Sequence, residues 1–206
     1  MLRLSTFMIA AGLSLVALAD RSVAFTGGAT FEFTGIGGAI PDYDDGIAVF
    51  SATPSSSIGN IKTLELEIDG ITHVAPGDLD IYLISPFGGD FIDVMTDRGG
   101  GSMTPVQNVD LIFNNASTAS PGTPLVTGTY RPDGLADGDD DGFGEFLGRS
   151  PGLGSWLLLV SDDTAGGTGS IRSFTLRGTV PEPTTISLLA IGVVGLLRVR
   201  GRRSIR

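Results

Sequence analysis

Asp137, Asp139 and Asp141 stand at positions one, three and five of the run Asp137-Gly138-Asp139-Asp140-Asp141-Gly142. Loop carboxylates at that spacing can converge on one cation, and a glycine at position six permits the sharp turn that calcium loops need. Phe143 comes next with its carbonyl at position seven and Glu145 stands at position nine, so Asp137, Asp139, Asp141, Phe143 and Glu145 form a candidate calcium loop. Position twelve is Gly148 where an EF-hand places a bidentate Glu, so the loop is not an EF-hand. The competing reading is a solvated acidic turn, whose crowded carboxylates repel unless a cation or bulk water intervenes. A second oxygen-rich site could form from Asp78 and Asp80, which share a strand face, and from Asp162 and Asp163, which open another turn. It requires the two turns to meet in space. An Asp at a strand end ordinarily caps a turn instead.

Other chemistries lack their parts. The chain has 206 residues, a formal net charge of −10, one histidine and no cysteine. The acidity excludes nucleic-acid binding through a basic face. Without cysteine there is no disulfide scaffold, thiolate zinc site or Cys nucleophile. His73 could serve as a general base or a pH switch, yet neither a nucleophile nor an orienting group is marked beside it in the sequence, so a structural hydrogen bond is the expected role. Gly35-Ile36-Gly37-Gly38 is followed by Pro41 and acids rather than by a helix, so it lacks the context of a phosphate cradle. No pair of carboxylates stands out for glycoside hydrolysis. The expectation is a protein without catalysis of its own.

Both ends read as addresses. Residues 1–24 begin with Arg3, continue through an apolar run from Leu4 to Ala19 and reach small-residue cleavage sites at Ala19 or Ala24, the three-part pattern of a secretory signal peptide. Cleavage after Ala24 is preferred. At the other end, Pro181-Glu182-Pro183 precedes an apolar stretch over residues 186–197, followed by Arg198, Arg200, Arg202, Arg203 and Arg206. Twelve helical residues cover about 18 Å, short for a hydrocarbon core of about 30 Å. The arginines should stay on the cytoplasmic side and hold the preceding domain across the membrane. An ordinary tail anchor is the plain alternative.

The middle, residues 25–180, must position any site. Removing the two ends takes away Asp20, Glu182 and seven arginines, which leaves the middle near −15. Short apolar segments of period two are separated there by Gly, Pro, Asp and Ser clusters, an all-β pattern. In Thr63–Ile68, Leu64, Leu66 and Ile68 share one face while Glu65 and Glu67 share the other, as in a half-buried strand. Further strands are expected at 29–34, 47–52, 79–84, 91–96, 109–113, 156–160 and 170–177. Leu157 to Val160 is apolar on both faces, as in a covered central strand. Trp156 is expected to anchor the core, with its indole N–H bonded to a partner. About eight strands suit a jelly-roll-like β-sandwich.

Two stretches resemble known families. The order Pro181-Glu182-Pro183, short apolar helix and arginine cluster resembles the PEP-CTERM protein-sorting signal of Gram-negative bacteria that make exopolysaccharide. It implies export, transient membrane anchoring through residues 186–197, and processing by an exosortase near the Pro-Glu-Pro. Within residues 58–178, one block runs from Ile71-Thr72-His73 through Gly77-Asp78-Leu79 to Ser85-Pro86-Phe87-Gly88. A second contains Phe146-Leu147-Gly148, then Gly154-Ser155-Trp156 through Ser161-Asp162, then Gly169-Ser170-Ile171. Together they resemble the P/Homo B domain of proprotein convertases and bacterial secreted proteases. The resemblance implies a jelly-roll sandwich with His73, Gly77, Asp78, Leu79, Pro86, Gly88, Gly154, Trp156, Asp162 and Gly169 as framework residues. In the convertases this domain packs beside a subtilisin-like catalytic domain. Here the residues before the module cannot accommodate one.

The expected function is therefore an exported, non-catalytic binding or scaffolding module of the cell surface or extracellular matrix, with calcium as a structural cofactor. One rival is an accessory domain docked on a separate subtilisin-like protease. Another is an exopolysaccharide-binding module in which Tyr43, Tyr82 and Tyr130 stack on sugar rings.

Overall fold

The computed structural model describes residues 29–99, 104–134 and 141–181, so the signal-peptide and apolar-tail expectations lie outside the described residues. The described residues form nine strands: β1 (Thr30–Ile40), β2 (Ala48–Ala52), β3 (Thr63–His73), β4 (Leu79–Ile84), β5 (Phe91–Thr96), β6 (Val106–Asn114), β7 (Gly128–Tyr130), β8 (Trp156–Asp162) and β9 (Gly169–Thr179). All eight strands expected from periodicity are present. β7 is the addition, and its three residues are too short to carry a period.

The strands make two sheets, ordered β1-β9-β3-β6-β7 and β2-β8-β4-β5. All pairings are antiparallel except β6 with β7. With β7 set aside, β1 pairs with β9, β2 with β8, β3 with β6 and β4 with β5. That is a long antiparallel hairpin rolled into two sheets, the jelly-roll arrangement.

Alternation along each strand fills the space between the sheets. Leu64, Leu66 and Ile68 of β3 point inward, as do Trp156, Leu158 and Val160 of β8 and Phe174 and Leu176 of β9. Each such side chain contributes roughly 1.5–3 kcal/mol by leaving water. Gly70 sits at φ +65°, where β3 slips register against β6 between Ile68 and Ile71, a bulge that a side chain would strain. Gly35-Ile36-Gly37-Gly38 lies inside β1.

Trp156 is fully buried, edge-on to Phe146 at 5.1 Å and to Phe87 at 5.9 Å between ring centroids. Its expected hydrogen bond is absent, because Nε1 is enclosed by this aromatic cluster and meets no acceptor among the described residues. The doubly covered strand is corrected as well. Leu157 and Leu159 point outward from a two-layer sandwich and are only half-buried.

Candidate functional site

Residues 71–88 and 146–171 fold against each other. β3 delivers His73 to one end of the sandwich, opposite Gly169 of β9 and Val106 of β6. A Cβ on Gly169 would overlap His73 Cδ2 and the Thr72 carbonyl, so glycine is required for the strand to approach the imidazole. At the other end a Cβ on Gly154 would overlap Pro86. Both glycines thus sit where the chain approaches a neighbour closely, Gly169 beside its sheet partner His73 and Gly154 beside Pro86.

His73 is buried with both ring nitrogens facing the protein. Nδ1 accepts the Ala75 N–H at 3.2 Å, which places the proton of the neutral ring on Nε2. Nε2 faces Asp162 Oδ2 at 3.3 Å, with both side chains almost wholly enclosed, although the two atoms are poorly aligned for a hydrogen bond. Asp162 Oδ1 accepts the Thr164 N–H at 3.1 Å. Asp42, from the β1–β2 connection, reaches the same loop and accepts the Gly166 N–H at 2.9 Å, the Gly167 N–H at 3.3 Å and the Tyr43 N–H at 2.9 Å. These donors, Gly166 foremost, hold its carboxyl below the ordinary carboxylate value. The arrangement ties the β1–β2 and β8–β9 connections together around His73.

The turns bearing Asp78 and Asp162 do meet, since the Asp163 N–H donates to the Asp78 carbonyl at 2.9 Å. Their carboxylates do not converge: among the described residues no group of three or more His, Asp or Glu is placed to hold a metal ion. They crowd one another instead. Burial first, then the charges of Asp162 and Asp163, push the Asp78 carboxyl up. Asp80 is raised further, to about 6, by burial and then by Asp97, Asp163 and Asp93.

This raised value gives a pH signature. The folded chain binds the Asp80 proton more tightly than the unfolded chain, whose carboxyl has the ordinary value of 3.8. The contribution is therefore favourable below about pH 4, declines as pH rises to about 6 and stays flat above. Because Asp80 is partly solvated and screened, the expected size is on the order of 1 kcal/mol. Asp80→Asn should raise the melting temperature at pH 7.5 and flatten this part of the pH profile. A variant whose profile matches the parent between pH 4 and 6 would remove Asp80 as its source.

Of the candidate calcium loop, Asp137 and Asp139 lie outside the described residues. Asp141 and Glu145 are exposed at the two sides of the buried Phe143. The side chain of Asn115 braces this half, accepting the Phe143 N–H at 3.0 Å and donating to the Asp141 carbonyl at 2.9 Å. Of the three tyrosines, Tyr43 is 54 % exposed. Tyr82 is half-buried beside Phe91, edge to face at 6.1 Å. Tyr130 is not a sugar platform: its ring packs on Phe113 within the core and its hydroxyl donates to the Val126 carbonyl at 2.8 Å.

The outer face of the four-stranded sheet is a feature that sequence reasoning missed. Cross-strand registers place Ser51, Leu157, Ile84 and Phe91 in one outward row and Val49, Leu159, Tyr82 and Asp93 in the next. Phe91 is 59 % exposed and Val49 55 %. The signal was present in Leu157 and Leu159, because a two-layer sandwich covers only one face of each strand.

The fold and these contacts define an all-β jelly-roll sandwich whose last strand runs directly into an address. A family profile for the PEP-CTERM protein-sorting motif matches residues 179–203. The chain thus carries the mark of an exported, exosortase-processed protein sorted at the Gram-negative cell envelope. No curated protein matches it. Among solved structures it is similar to FLHE, with 11 % identity and a TM-score of 0.41 over 76 % of this chain and 99 % of that one. It is also similar to a serine protease of Aeromonas sobria, with 14 % identity and a TM-score of 0.40 over 73 % of this chain and 27 % of the protease. The complex of that protease with the chaperone ORF2 gives 14 % identity and a TM-score of 0.38, over 74 % and 27 % of the two chains.

Proposed function

We propose that residues 25–180 form a non-catalytic binding module of the P/Homo B type, displayed at the cell surface or in the extracellular matrix after sorting. The observation that carries this reading is the open apolar face of the four-stranded sheet on an exported domain. Soluble monomers rarely leave contiguous apolar surface without a use. The burial of His73 beside Asp162, away from solvent, supports a framework role for both. The sequence resemblance of residues 71–88 and 146–171 to the protease-associated domain supports a second reading, in which the partner is a separate subtilisin-like protease. Exopolysaccharide binding would rest on Tyr43 and Tyr82.

The test is affinity capture with the full chain, in calcium, from extracellular and envelope fractions, with retained protein and sugar both identified. Recovery of a subtilisin-like protease makes the module an accessory domain acting in trans. Recovery of polysaccharide that is lost on Tyr43→Ala with Tyr82→Ala makes it a matrix-binding module. Peptide or glycoside hydrolysis by the purified chain that disappears with His73→Ala would overturn the non-catalytic reading.

Calcium is proposed separately as a structural cofactor of the loop from Asp137 to Glu145. A ligand at a hundred times its Kd adds about 2.7 kcal/mol to the folded state. Saturating calcium should therefore raise the melting temperature by several degrees in the parent and leave Asp139→Ala with Asp141→Ala unmoved. An equal shift in both would exclude this loop as the calcium site.

A further inference from the structure

The outer faces of the two sheets differ in kind. On the five-stranded sheet one row reads Glu32, Arg177, Glu65 and Asn114, and the next begins Thr34, Thr175 and Glu67. Those side chains pair with one another: Arg177 contacts Glu67 and lies 3.8 Å from both Glu32 and Glu65, Asn114 donates to Glu65 at 3.0 Å, and the Thr34 and Thr175 hydroxyls bond at 2.9 Å. This is the polar outer face expected of an antiparallel sheet in water. On the four-stranded sheet the corresponding rows hold Val49, Leu157, Leu159, Tyr82, Ile84 and Phe91. Tyr82, Ile84, Phe91 and Leu159 line a hollow of about 320 Å³ there.

One side of the apolar face is acidic. Asp93 stands in the second of those rows and Asp80 in the row beyond it, opposite Ser161 and Thr96, and Asp97 and Asp163 stand close enough to disfavour a further negative charge on Asp80. Asp80, Asp93 and Asp97 act in the same direction on the Tyr82 phenol, whose ionisation is pushed up by burial first and then by those charges. The aspartates thus reach into the apolar patch at Tyr82.

We propose that this face docks a protein surface with an aliphatic or aromatic centre and a Lys or Arg border along one side. The proposal rests on the reading of the chain as a binding module and adds the chemistry of its partner. A cationic border would relieve the crowding around Asp80, and complementary charge of this kind sets orientation and speeds encounter. A second copy brings another domain of charge near −15 and the same aspartates. A neutral glycan offers no cation to them, and an anionic glycan is repelled. The chain's own tail joins an apolar run to five arginines, but the positive-inside rule keeps those arginines on the cytoplasmic side.

The experiment places the photo-cross-linking residue p-benzoylphenylalanine at Phe91 of the full chain in the producing organism. The control position is Thr34, exposed on the polar sheet. The expected result is a protein adduct from position 91 and none from position 34. The cross-linked peptide should carry apolar residues beside Lys or Arg. The yield should fall about tenfold with Asp80→Asn, as for loss of paired charge at an interface. Melting curves confirm that this variant is folded. Adducts with a second copy, with the chain's own tail or with glycan would overturn the proposal, as would equal adducts from position 34, no adduct from position 91, or a yield indifferent to Asp80. If position 91 fails while affinity capture still retains a partner, this face falls and the binding-module reading stands.

Discussion

Trp156→Ala should lower the stability of the sandwich by about 3–5 kcal/mol, among the largest effects of any single change in this chain. The indole is fully buried at the start of β8, and the rings of Phe146 and Phe87 meet it edge-on. Truncation removes its apolar burial and two aromatic contacts worth about 0.5–1.5 kcal/mol each. It also opens a cavity that strands locked on both sides cannot close, since β8 is paired to β2 and β4. Urea unfolding followed by circular dichroism should show the midpoint falling with an unchanged slope. Trp156→Phe should recover part of the loss and sacrifices no hydrogen bond, because Nε1 makes none among the described residues. A loss below about 1 kcal/mol in the alanine variant would mean that the aromatic cluster is not what holds this end of the two sheets together.

Asp133→Ala should cost about 3 kcal/mol, at the lower end of the range for removing one member of a buried charged pair. Asp133 lies just beyond β7 and is 1 % exposed, yet it accepts the Thr96 N–H at 2.9 Å and two contacts from Arg98 Nε at 3.0 and 3.1 Å. Alanine would strand the last backbone donor of β5 and remove one carboxylate from the Arg98 guanidinium. Asp133→Asn keeps an acceptor and should lose less. Hydrogen exchange at Thr96 distinguishes this cause from general loosening: its amide should lose protection first in the alanine variant. Equal loss across all strands would point to the core instead. β5 also carries Phe91 and Asp93, so this carboxylate supports one edge of the proposed docking face.

Local pattern makes part of this legible in the sequence. The alternation in Thr63–Ile68 reveals the inward face of β3, and the apolar run after Trp156 locates β8. Hidden features are those that depend on a distant partner. Asp133 looks like any loop acid until Thr96 and Arg98 arrive from 37 and 35 residues away. Asp42 gains its role only when the β8–β9 connection brings Gly166 and Gly167 to it. Tyr130 reads as an exposed aromatic because three residues of parallel pairing leave no periodicity to reveal an inward ring. Leu157 and Leu159 are visible as apolar on both faces, a pattern that suits a covered strand. In a sandwich the same pattern points to surface left for a partner. Asp78 and Asp163 meet as a shared oxygen-rich site would require, yet their backbones do the bonding, and among the described residues no group of three or more His, Asp or Glu is placed to hold a metal ion.

The place of β9 in its sheet sets an order of events in time. β1 pairs only with β9 in that sheet, β3 needs it along one whole edge, and the Val180 N–H closes onto the Ala29 carbonyl. An exported chain that emerges from its N-terminal side therefore holds β1 in waiting, with its backbone donors solvated, until nearly all the domain has crossed. Completion of the five-stranded sheet coincides with arrival of the sorting segment, which the profile match begins at residue 179. The sorting segment therefore follows the last strand directly, and the five-stranded sheet can close only after the chain up to that segment has emerged.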